Sequence, residues 1–214
     1  LMTLYMTFEF IKAGRLGLNE KLPVSKSAAN YTGSTMFLNP TDRVAVVDLL
    51  RGIIVLSGND ACAVIAEALS PDGTEVGFAK IMTERGKQLG LKNSTFKNSN
   101  GWPADGHQMS VRDLGILAGR LISDFPEYYP MFGEQTYEFD GRAPANNRNR
   151  NPLLGLGIGA DGLKTGHTRE AGYGLVGSAK QDGRRIIFVL SGLGSQEDRA
   201  QEAESIVKWA FRQF

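Results

Sequence analysis

Asp161-Gly162-Leu163-Lys164-Thr165-Gly166-His167-Thr168 sets a cation, a hydroxyl, a bare backbone and an imidazole side by side. On a strand, alternation puts Lys164 and Gly166 on one face and Thr165 on the other. Gly166 has no side chain, so a second backbone or a ligand can come close there. An ammonium beside a hydroxyl is a natural seat for a carboxylate. Alone, the Lys-Thr-Gly triplet marks no more than a strand end before a turn. Its meaning depends on its neighbours.

Downstream, Gly172 to Lys180 reads as a strand, Gln181-Asp182-Gly183 as a hairpin turn, and Arg184 to Gly192 as a very apolar returning strand. Glu197 to Phe214 reads as a helix that can lay Ala203, Ile206, Val207, Ala210 and Phe211 on a sheet. Upstream the pattern is helical. Residues 1–13 carry Leu1, Leu4, Tyr5, Phe8 and Ile11 at helical spacing, stopped by Gly14. Residues 15–43 are turn-rich, with Met36-Phe37-Leu38 as an apolar plug under a loop. Residues 46–56 and Asp60 to Leu69 read as two buried helices broken at Ser57-Gly58, with Asn59 or Asp60 as a side-chain cap. That break leaves a hydroxyl and an amide inside the protein, where polar groups need partners. It can equally be an ordinary turn between helices. Further helices are expected over 74–89 and from Ser110 to about Asp124, a helical turn over 126–132, and a strand over 135–139. The expected class is α/β, an antiparallel sheet covered by helices plus an all-helical lobe. The lobe is placed at about 44–132, and the sheet region at about 135–214 together with helix 1–13.

The chain has 214 residues, 42% hydrophobic and 22% charged, which is ordinary for one large globular domain or two small ones. A net charge of +1 and the lack of a long basic run give no reason to expect nucleic acid. No run of ~18 apolar residues suggests a membrane-spanning helix, so no membrane contact is expected. The single cysteine, Cys62, reads as a small buried residue. No His, Cys, Asp or Glu cluster has metal spacing, so neither metal nor cofactor is expected. Leu1 opens inside an apolar helical pattern, so a fragment or a processed chain is expected.

Several stretches together resemble the serine-type D-alanyl-D-alanine carboxypeptidases, the low-molecular-mass penicillin-binding proteins related to serine β-lactamases. They are Leu1-Met2-Thr3, GSTMFLNPTD (33–42), SGNDACAVIAE (57–67), LGLKNSTF (89–96), ADGHQMSVRDL (104–114), DGLKTGHTREAGY (161–173) and QEAESIVKWAF (201–211). The resemblance implies a β-lactamase/DD-peptidase-like fold whose cleft is lined by three motifs. The first, Ser-x-x-Lys, supplies the acylated serine and its base. In relatives it stands just before the residues matching Leu1-Met2-Thr3, and this chain does not contain it. Ser94-Thr95-Phe96-Lys97 has the right letters in a polar connection rather than at the start of a buried helix, and reads as a decoy.

The resemblance assigns the remaining roles. Ser57 would relay a proton to the leaving amine and Asn59 would hold the substrate's peptide carbonyl. Lys164 and Thr165 would seat the terminal carboxylate, helped by Arg150 and Arg199. Gly166 would let the acyl chain lie close, and the His167 amide would complete half of an oxyanion hole. The His167 imidazole would face the cleft mouth or solvent, and His107 reads as a surface loop residue. The implied partners are peptidoglycan stem peptides and β-lactam antibiotics, in the periplasm. A β-lactamase or esterase of the same superfamily, or a non-catalytic wall-binding remnant, would carry the same middle and third motifs.

Overall fold

The computed structural model describes residues 1–214. The chain forms two compact units, Leu1–Gln108 with Thr136–Asn149, and Met109–Gln135 with Arg150–Phe214. The helix over residues 1–13 belongs with the first unit and the helix from Ser110 with the second.

In the first unit the elements are α1 (Met2–Lys12), β1 (Lys21–Pro23), α2 (Lys26–Ala29), β2 (Arg43–Ala45), α3 (Val46–Arg51), a π-helical turn Gly52–Leu56, α4 (Asn59–Leu69), α5 (Glu75–Gln88) and β3 (Ser94–Thr95). The centre is α4, buried without a break from Asn59 to Ala66. A helix that is apolar on every side is stable only when surrounded. Leu4 and Phe8 of α1 and Phe78 of α5 are among the fully buried side chains of this unit. Strand β1 pairs antiparallel with β2. Met36 and Leu38 are buried as the plug reading requires, but Phe37 between them is 57% exposed with φ 57. The chain reverses at Phe37, and that turn throws its ring outward.

In the second unit, following β4 (Gln108–Met109) at the junction, α6 (Val111–Asp124) starts at Ser110, whose Oγ accepts the Asp113 N–H at 3.1 Å. A 3-10 turn covers Tyr129–Gly133, and β5 (Ala160–Thr168), β6 (Gly172–Gln181), β7 (Arg184–Leu193) and α7 (Gln196–Gln213) complete the chain. The sheet is antiparallel in the order β5-β6-β7. Residues Leu175 to Ala179 of β6 are buried in succession, the signature of a strand covered on both faces. Leu153, Leu175, Ala179, Ala203 and Val207 form the core under α7. The very apolar stretch 184–192 lies in edge strand β7 and is mostly half-buried, so its apolarity does not mark a central strand. Gly177 faces Phe188 across the ladder, and the Phe188 ring fills the space a Gly177 Cβ would take, 2.2 Å from it. The strand expected over 135–139 reduces to one bridge, Thr136 to Arg148. No helix is long and apolar enough to cross a membrane.

Candidate active site

Ser57 and Asn59 stand where α3 gives way to α4. The π-helical turn ends at Ser57, which takes φ 61 and ψ 39. A non-glycine residue in this left-handed region is strained, and such strain concentrates at functional sites. Two bonds fix the bend. The Gly58 N–H donates to the Gly52 carbonyl at 3.0 Å, and the Asn146 amide donates to the Leu56 carbonyl at 3.0 Å. Asn59 is buried, its N–H donating to the Ser34 carbonyl at 2.8 Å and its Nδ2 to the Thr32 carbonyl at 2.9 Å. Loop 32–34 is therefore bonded to both ends of this residue.

The expected helix cap is corrected. Gly58 occupies the cap position with no side-chain bond. Asp60 instead accepts the N–H groups of Met36 and Leu38, at 2.9 and 3.1 Å, besides that of Ala61. A buried carboxylate needs donors, and the 36–38 segment brings them. Nearby, the Tyr31 and Ser99 hydroxyls both donate to Glu75, and burial pushes the Tyr31 pKa up.

In the second unit, β5 carries the Lys-Thr-Gly triplet along an edge of the sheet. Lys164 Nζ donates to the Thr165 carbonyl at 2.9 Å. A Cβ on Gly166 would meet nothing within 4 Å, so the strand is bare there. Thr165 pairs with Leu175, and His167 with Tyr173. Directly opposed residues share a face, and Leu175 packs on α7, so Thr165, His167 and Tyr173 lie on the side that α7 covers. The start of β5 is anchored by Asp161. It accepts from Arg185 at 2.8 and 2.7 Å and from the Tyr129 hydroxyl at 2.8 Å.

Arg199, in the first turn of α7, is 4% exposed. One terminal nitrogen donates to the Arg150 carbonyl at 3.4 Å, its guanidinium lies 5.7 Å from the Tyr173 ring centroid, and its buried Nε has no partner. Burial, with the charge of Arg150 added, lowers its pKa. Arg150 has an exposed side chain, although enough protein surrounds its head to lower its pKa by desolvation. A buried cation short of acceptors, beside a second cation, favours an anion.

The family model described as D-alanyl-D-alanine carboxypeptidase matches residues 1–194. The chain belongs to this family. It is 38% identical to the D-alanyl-D-alanine carboxypeptidase DacC of Escherichia coli over all of this chain and 54% of that protein. It is 35% identical to DacF of Bacillus subtilis, again over its full length and 55% of that protein. The chain thus spans about half the length of the curated relatives it matches. The structure of penicillin binding protein 5 from Haemophilus influenzae superposes with a TM-score of 0.92 at 35% identity, covering 99% of this chain and 61% of that one. Penicillin-binding protein D2 of Listeria monocytogenes, in its ampicillin-bound form, gives a TM-score of 0.85 at 30% identity, covering 98% and 84%.

One other residue of this carboxypeptidase-family chain departs from the sequence expectations. His107 is half-buried rather than superficial. Its Nδ1 accepts the Lys97 N–H at 3.2 Å, its ring meets Phe96 edge-on, and burial lowers its pKa. Ser94 lies on the two-residue strand β3 and Lys97 is exposed, so that pair is not on a helix. Cys62 is buried and forms no disulfide. No group of three His, Cys, Asp or Glu could hold a metal. Asn146, Asp161, Arg185 and Tyr173 were not singled out by sequence, although Asn146 bonds the carbonyl just before Ser57, Asp161 and Arg185 fix the start of β5, and Tyr173 meets His167 and Arg199. For Tyr173 a signal existed: pairing β5 with β6 around a tight turn sets it opposite His167.

Proposed function

We propose that the protein to which this chain belongs removes the terminal D-alanine from peptidoglycan stem pentapeptides through a serine ester, and that β-lactams block it. The observation that carries this reading is the bare edge of β5 at Gly166, beside Lys164 and Thr165. An extended peptide can lie against such an edge and present its terminal carboxylate to a cation and a hydroxyl. Arg150 and Arg199 add positive potential, and the shortage of acceptors around Arg199 supports its part in holding that carboxylate.

The serine of the family's Ser-x-x-Lys motif attacks the carbonyl of the last peptide bond. The His167 N–H helps hold the developing oxyanion. Ser57 passes a proton to the departing D-alanine amine while Asn59 holds the substrate's peptide carbonyl. Water then releases the shortened peptide from the ester. The substrate places this work in the periplasm.

A labelled penicillin tests the reading on the full-length protein. A stable covalent adduct is the expected result. Rapid release of label would instead indicate a β-lactamase or esterase, and no adduct would indicate a wall-binding protein. On the 214-residue chain alone no adduct is expected, and a stable one would assign Ser94 the role of nucleophile.

A further inference from the structure

We propose that Tyr173 is a positioning residue for carboxylate recognition, its one ring holding both the His167 imidazole and the Arg199 guanidinium in place. The inference rests on the role given to Arg199 under Proposed function. The two rings stack with centroids 4.0 Å apart and planes at 27°. The guanidinium carbon of Arg199 is 5.7 Å from the Tyr173 centroid.

These three side chains come from three different elements. His167 is next to last in β5, Tyr173 is second in β6, and Arg199 lies in the first turn of α7. The strand register places the two rings opposite each other, while α7 reaches the same face through its core contacts. Arg199 has few other restraints. Its one hydrogen bond is long, at 3.4 Å, and its Nε is unpartnered. A long, flexible cation so loosely bonded loses its direction unless something flat and electron-rich confines it. His167 is exposed near the end of an edge strand, where its ring stacks on that of Tyr173. The ring supplies both contacts, so a phenyl group should replace the phenol.

The full-length protein is to be acylated by benzylpenicillin and by its methyl ester, in wild type, Tyr173→Phe, Tyr173→Leu and Tyr173→Thr. The free carboxylate of the drug stands in for that of the stem peptide. We expect wild type and Tyr173→Phe to favour the acid over the ester equally. Tyr173→Leu should lose about tenfold of that preference, with the ester rate unchanged. Tyr173→Thr repeats the measurement with a strand-forming residue should the leucine variant not fold. An unchanged preference in both ringless variants would overturn the proposal. So would equal losses with acid and ester, which indicate general damage. If wild type itself forms no adduct, or shows no preference for the acid, the carboxypeptidase reading of the site falls first and this inference with it.

Discussion

Asn146 donates its side-chain amide to the Leu56 carbonyl across 3.0 Å, immediately before the left-handed Ser57. The donor comes from a segment 90 residues further along the chain. The same segment bonds Tyr137 to Asp48 at 2.8 Å and pairs Arg142 with Asp42. Residues 136–149 therefore strap the end of the π-helical turn. Asn146→Ala should cost about 1 kcal/mol of stability and slow penicillin acylation of the full-length protein by more than that stability loss explains. Thermal melts and acylation rates measured side by side check this. A variant that melts early yet acylates normally would show that the bond serves the fold alone.

Gly166 offers a cleaner separation of fold from function. A methyl group there meets no protein atom within 4 Å, so Gly166→Ala should melt within a degree or so of wild type, a surface-type change. Acylation should nevertheless fall, because the methyl group occupies the space the acyl chain needs. Gly159 is the control. It has φ 79, and an added Cβ would lie 2.3 Å from the Lys180 carbonyl, so Gly159→Ala should destabilise strongly.

Asp161 and Arg185 are joined at 2.7 and 2.8 Å, with the Tyr129 and Ser178 hydroxyls completing the cluster. Both charges are partly shielded from solvent. Asp161→Asn and Arg185→Met should each cost about 2 kcal/mol, because each strands a charge. The double variant should cost less than the sum, and a double-mutant cycle from urea melts measures the coupling.

Acid should loosen the start of α5. The Asp72 carboxylate accepts from the Ser70 and Thr74 hydroxyls and the Thr74 N–H, and these bonds hold its pKa at about 2. The folded state thus favours the charged form. Its contribution is complete above the ordinary carboxylate value of about 4 and disappears as pH falls through about 2. The melting-temperature gap between wild type and Asp72→Asn should be constant above about pH 4 and close over that window. A gap that persists to the acid end would refute the assignment.

The helical and sheet elements were readable because their signals are local. The break at Ser57-Gly58, the cap at Ser110 and the hairpin at Asp182-Gly183 each follow from side-chain period and backbone preference over a few residues. The strand expected over 135–139 failed because alternation alone does not provide a partner, and that segment spends its polar groups on α3 and the π-helical turn. The apolar composition of β7 does not by itself reveal that it lies at an edge of the sheet. Asp60 was read as a cap because neighbours in sequence are visible and the Met36 and Leu38 amides, more than twenty positions away, are not. Asn146 and Tyr173 escaped notice for the same reason: each acts on an atom that only the folded chain brings near.

Met36 packs into the hollow left by the absent side chain of Gly52, its sulfur 2.0 Å from where a Cβ would stand. That sulfur is sealed from solvent. Peroxide should reach it only when the π-helical turn opens, and the added oxygen would then block reclosure. The rate of sulfoxide formation at this one thioether is therefore a clock for the breathing of the Ser57 bend.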